Sequence, residues 1–125
     1  MYLLSMGFIK STKQNDFLPG TLAMLVLQTL TRGPMHGYGI AQFIRQRSEE
    51  VLHVGEGSLY PALQRLQVSG LVTAEWRESD TGRRARYYSL TPLGRKQLRM
   101  EVESYERVSR AIALVLEPAV GWGTP

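Results

Sequence analysis

Residues 71–91 read LVTAEWRESDTGRRARYYSLT. Two runs rich in β-branched and aromatic residues, LVTAEWRES and ARYYSLT, flank DTGR, whose aspartate and glycine form turns readily. The spacing predicts a β-hairpin with its turn near Asp80 to Arg83. Tyr87 and Tyr88 then point to opposite faces of their strand, so at least one is expected in a core. Trp76, on the partner strand, is expected to be a core or hairpin-pair residue rather than a ligand anchor.

What precedes the hairpin reads mainly as helix. Pro19 and Gly20 are a start signal, and the nearly continuous apolar run that follows predicts a helix from Thr21 to Leu30, buried on most sides. TRGPMHGYG breaks it with glycines and a proline. A second helix is expected from Tyr38 to about Ser48, with Ile40, Phe43 and Ile44 on one stripe. VLHV (residues 51–54) reads as a short β-like run, and GEGS as a breaker. In SLYPALQRLQVSG, Leu59, Leu63 and Leu66 with Ala62 form the apolar stripe of a third helix. Ser58 is its expected cap, Pro61 falls in its first turn, and Gly70 ends it.

After the hairpin, Thr91 caps and Pro92 opens a long helix that runs to about Glu117, before Pro118. Leu98, Val102, Tyr105, Ser109, Ile112 and Leu116 alternate steps of four and three, a seam suited to pairing with another helix. The expected fold is mostly α with a small β-hairpin. It is a winged helix-turn-helix over residues 17–91, followed by a long C-terminal dimerisation helix over 92–118. Residues 1–16 read as an extension and 119–125 as a tail.

Charge points to the partner. The chain of 125 residues carries a net charge of +4. Between Thr81 and Met100 stand six Lys/Arg and no acid, while the remainder holds nine basic against eleven acidic residues. Positive charge this local suggests a polyanion. Arg83, Arg84 and Arg86 crowd the hairpin tip, and their guanidinium forks suit phosphates or a narrow minor groove. The bland alternative is an ion-pair cluster with Glu75 and Glu78 across the hairpin.

On the third helix, Ser58, Tyr60, Gln64, Arg65 and Gln67 offer the hydroxyl, amide and guanidinium groups that bond base edges and phosphates. A merely solvated helix face would look the same. His36, beside Gly37 and Tyr38, is placed to cap the second helix or to touch a phosphate at its N-terminus. His53 reads as structural. The long last helix has too little of the same chain to pack against, so Tyr105, Ile112 and Leu116, with Leu98 and Val102, are expected to meet a second copy.

Other classes find little support. There is no cysteine, which removes disulfides, zinc thiolates and a cysteine nucleophile. Neither metal nor cofactor is expected, since two histidines alone do not make a metal site. No nucleophile elbow or phosphate-binding glycine loop stands in the sequence, so no enzyme is expected. The longest apolar run, around LAMLVLQTL, is about half of a membrane span, so no membrane partner is expected and a cytoplasmic location is.

PGTLAMLVLQTL, GPMHGYGI, EGSLYPALQRLQVSGLV and GRRARYYSLTPLGRKQL, in that order and spacing, resemble the PadR family of bacterial transcriptional regulators. The resemblance spans about Leu18 to Leu98. It implies a homodimeric repressor that binds a palindromic operator in double-stranded DNA, often released by a small-molecule effector. It places Ser58, Tyr60, Pro61 and Arg65 in the family's recognition helix, Arg83, Arg84 and Arg86 in its wing, and His36 and Tyr38 in the turn before the second helix. With one helix after the wing, the chain resembles short-tailed members. Some relatives bind aromatic drugs between tryptophans at the dimer interface; here the last helix has no Trp, and Trp122 lies beyond Pro118.

Overall fold

The computed structural model describes residues 20–119. The expected extension over residues 1–16, Pro19 and the tail from residue 120 on, with Trp122, lie outside the described residues. Within them the chain forms α1 (Thr21–Leu30), β1 (Met35–His36), α2 (Gly37–Arg47), α3 (Glu56–Val68), β2 (Val72–Glu78), β3 (Arg84–Leu90) and α4 (Pro92–Leu116). This is a winged helix-turn-helix with a long C-terminal helix.

Helix α1 is the hub. It packs against α2, α3, β3 and α4, and Val26, Leu27, Thr29 and Leu30 are buried in it. The hydroxyl of Thr29 donates to the Leu25 carbonyl at 2.7 Å, so its burial leaves no polar atom unsatisfied. Around α1 stand Ile40 and Ile44 from α2, Leu59, Leu63 and Leu66 from α3, Val72 and Tyr88 from the sheet, and Leu98 from α4. Each such side chain contributes about 1.5–3 kcal/mol by leaving water.

The helix ends follow local chemistry. Gly70 takes φ +79, and the chain closes α3 with Gly70 N–H on the Gln67 carbonyl and Leu71 N–H on the Leu66 carbonyl. That is the Schellman arrangement, and it turns the chain directly into β2. Thr91 caps α4 by accepting from the Gly94 N–H at 2.9 Å, while its hydroxyl also reaches the Gly70 and Leu71 carbonyls.

Three expectations are corrected. VLHV forms no strand: Val54 makes one isolated bridge, and Val51 is exposed. The third strand comes instead from Met35 and His36, inside the stretch read as a break, which pair with Tyr88 and Tyr87 on β3. Two residues are too few to carry an alternating pattern, so this strand exists only because the edge of β3 is there to receive it. Finally, α3 starts two residues earlier than Ser58, from Gly55. Ser58 is thus its third residue and not its cap, and Pro61 lies in the second turn, where it removes the bond an N–H would make to the Gly57 carbonyl.

The seam on α4 divides in two. Leu98 is buried and Val102 packs against the core, so both serve the chain's own interior. From Tyr105 onward the same stripe leaves the domain: Tyr105, Ile112 and Leu116 are exposed.

Candidate nucleic-acid interface

On α3, Leu59, Ala62, Leu63 and Leu66 face inward. Tyr60, Gln64 and Arg65 are exposed on the other side, and Ser58 and Gln67 are half-buried between the two. Val68 is also exposed, on the same face as Gln64 one turn later. Apolar side chains there were not singled out from the sequence, although one at such a position meets a thymine methyl readily.

Tyr60 is less free than its helix position suggests. Its ring lies against Gly37 at the start of α2, where a side chain would collide with it. Burial, and then the Glu56 carboxylate and Tyr88, push the Tyr60 phenol above its ordinary pKa, so it remains a hydrogen-bond donor. Tyr60 therefore packs against α2 with its phenol end while the residue stays partly exposed on the α3 face.

The start of α2 is held by His36. Its Nδ1 accepts from the Gly39 N–H at 3.0 Å, and its ring stands edge-on to Tyr87 at 5.2 Å. Of the two roles open to His36 in the sequence, capping is the one observed. Tyr38 is exposed, and its hydroxyl accepts from the Gln42 amide at 2.9 Å. His53 points elsewhere, to the Glu50 carbonyl at 2.7 Å. Among the described residues no three His, Cys, Asp or Glu side chains gather into a metal-binding group. No helix there is long and apolar enough to cross a membrane.

The wing is a hairpin in which Val72 faces Leu90, Ala74 faces Tyr88, Trp76 faces Arg86 and Glu78 faces Arg84. Its turn closes with Ser79 N–H on the Arg83 carbonyl and Gly82, at φ +84, donating to Ser79. Opposed residues share a face. One face of the sheet is thus core at its base, through Val72 and Tyr88. Farther out the same face carries Trp76, Arg84 and Arg86, past the buried core. Trp76 is accordingly a hairpin-pair residue, 57% exposed and not core.

The expected alternative of an ion-pair cluster is not observed. Glu75 binds Arg77 on its own strand at 2.7 Å. Among the described residues, no carboxylate lies within 4.0 Å of Arg83, Arg84 or Arg86 in an ion pair. Arg84 and Arg86 each stand 5.9 Å from the Trp76 ring centre, and Arg86 reaches the Gln67 amide oxygen at 3.4 Å. Three guanidinium groups so close, left without carboxylates, keep a strong positive field over this surface.

A domain of this topology, with a polar face on α3 and an unneutralised arginine wing beside it, invites comparison with known proteins. Residues 26–100 match the model of the transcriptional regulator PadR-like family. This chain belongs to that family. A transcriptional regulator from Clostridium thermocellum superposes with a TM-score of 0.74 at 28% identity, over 82% of this chain and 100% of that one. A PadR family regulator from Clostridium difficile gives 0.68 at 28% identity, over 78% and 100%. A transcriptional regulator of Mycobacterium tuberculosis is 30% identical over 109 residues, 87% of this chain and 98% of that protein. The chain is thus a PadR-like transcriptional regulator, and the surface formed by α3, the start of α2 and the wing is its candidate DNA-binding face.

Proposed function

We propose that this PadR-like chain is a homodimeric, sequence-specific repressor that binds a palindromic operator in the cytoplasm. Helix α3 enters the major groove and reads base edges through Tyr60, Gln64 and Arg65, with Ser58, His36 and Tyr38 beside the adjoining phosphates. Arg83, Arg84 and Arg86 hold the flanking backbone. The observation that carries the reading is the wing: three arginines without ion-pair partners among the described residues, beside an exposed polar helix face.

Dimerisation rests on α4. Its apolar stripe is used by the chain's own core up to Val102 and continues bare through Tyr105, Ile112 and Leu116. A second copy's α4 is the occupant of that stripe. The two-fold axis then sets two α3 helices roughly 34 Å apart, one turn of DNA. A small-molecule effector releases the dimer from its operator.

The test is a fluorescence-anisotropy titration against the chain's own upstream promoter and a scrambled duplex, at low and physiological salt. Selective binding that saturates at two chains per site is expected. Weak binding to both duplexes that salt abolishes overturns the reading and leaves a basic interaction surface.

A further inference from the structure

A groove of about 640 Å³ runs between the wing, the start of α2 and the first turns of α3. Tyr60 and Tyr88 line it from the domain side, Tyr38 and Gln42 from α2, and Trp76 and Arg86 from the wing. Arg83 and Arg84 also border it, and Asp80, at the turn, is the one carboxylate among its lining residues. Asp80 forms no ion pair within 4.0 Å among the described residues, so it cancels none of the arginines directly. The groove is therefore cationic on its wing side and aromatic along its floor.

We infer that this groove is a binding site for one sugar–phosphate strand of the DNA, with the Trp76 indole against a deoxyribose and Arg84 and Arg86 on the phosphates to either side. This rests on the proposed DNA-binding function and assigns a residue that function does not need. The geometry follows from where the groove lies. A duplex that seats α3 in its major groove carries one backbone across the gap between α3 and the wing, because that backbone separates the major groove from the neighbouring minor groove.

The residue chemistry matches a strand of alternating sugar and phosphate. Two guanidinium groups stand over the Trp76 ring at equal distance, 5.9 Å each. Its ring is more than half exposed although it shares a sheet face with the buried Tyr88. An indole left in water costs free energy, and an apolar sugar face covers it without sequence preference. The guanidinium groups, drawn to the indole in the free protein, have phosphates as stronger partners. Arg84 and Arg86 grip the strand beside the indole, while Arg83 borders the groove at the turn.

The test uses the full chain carrying Trp122→Phe, which leaves Trp76 as the sole tryptophan. Promoter and scrambled duplexes are titrated while indole fluorescence and its quenching by iodide are followed. Both duplexes should alter the emission and shield the indole, each at its own affinity, since a sugar contact carries no sequence information. Trp76→Ala should weaken binding to both duplexes roughly tenfold with the salt slope unchanged. Trp76→Phe should restore most of it, and Arg84→Ala or Arg86→Ala should flatten the slope. If DNA binds and Trp76 stays as accessible to iodide as in the free protein, the strand does not occupy the groove. If anisotropy shows no binding of either duplex, it is the DNA-binding function itself that fails.

Discussion

The ring of Tyr60 rests on the backbone of Gly37. A Cβ at residue 37 would stand 2.7 Å from the phenol oxygen and 2.8 and 2.9 Å from two ring carbons. The α3 face proposed to meet DNA is thus set by a missing side chain on α2. Because the obstructing atoms are the far end of a side chain, Gly37→Ala should be accommodated by swinging Tyr60 outward. Thermal stability should fall by about 1–2 kcal/mol at most, while operator affinity should fall well beyond that proportion. Comparing melting temperature with anisotropy on the same variant checks it; full affinity would show that the Tyr60 position does not matter for binding.

The architecture was legible because its signals are local. Thr91 and Pro92, Gly70, and the DTGR turn each state their own element, and the helical stripes name most of the core. Less legible was whatever depends on a neighbour. β1 exists only as a partner for β3, and Leu98 looks identical to Ile112 on the α4 stripe until α1 covers one of them. The same holds in the candidate interface. The clustering of Arg83, Arg84 and Arg86 could be read directly, but Trp76 could not be separated from a core residue. Its face is core at Tyr88 and open two residues nearer the turn. Spacing by two does place Trp76 opposite Arg86 once the register is known, which is the signal that was available.

Helix α2 ends on two consecutive non-glycine residues in the left-handed region, Glu49 at φ 55 and Glu50 at φ 70. The Glu49 N–H donates to Gln46 and the Glu50 N–H to Arg45, so Glu49 occupies the position where glycine normally ends a helix. Glu50 is retained by its 2.6 Å ion pair with Arg45. Glu49→Gly should therefore raise stability by about 0.5–1 kcal/mol, the relief of strain exceeding the added freedom of the unfolded chain. A denaturant midpoint that stays level or drops would show that the turn is not strained.

Gly94 presents the opposite case to Gly37. A Cβ there would collide with the Leu71 carbonyl oxygen, a backbone atom. Leu71 is fixed by its own bonds to Leu66 and Thr91, so nothing can swing away. Gly94→Ala should push α4 off the hairpin base and cost about 3 kcal/mol or more. A melting temperature within a few degrees of the parent would refute the close contact.

The two halves of the α4 stripe should respond differently. Leu98→Ala removes a side chain buried in the chain's own core and should cost about 2–5 kcal/mol. Ile112→Asp places a charge on the stripe proposed to meet a second copy, 51% exposed in the single chain. It should leave a folded monomer by sedimentation equilibrium, with a melting temperature that no longer depends on concentration. A dimeric Ile112→Asp protein would mean that the stripe is not the interface.

The wing and α3 should separate affinity from selectivity. Among the described residues Arg83, Arg84 and Arg86 have no ion-pair partner to lose, so their truncation should leave the fold intact and act on the DNA alone. Arg83→Ala with Arg84→Ala should weaken promoter and scrambled duplexes alike, and the slope of log affinity against log salt should flatten by about one per arginine. Gln64→Ala and Arg65→Ala, on the exposed face of α3, should cost about 1–3 kcal/mol on the promoter and little on the scrambled duplex. Equal losses on both duplexes for Arg65→Ala would reassign that guanidinium from a base edge to a phosphate. The ratio of the two affinities, measured at one salt concentration, decides between them because phosphate contacts cancel in it and base contacts do not.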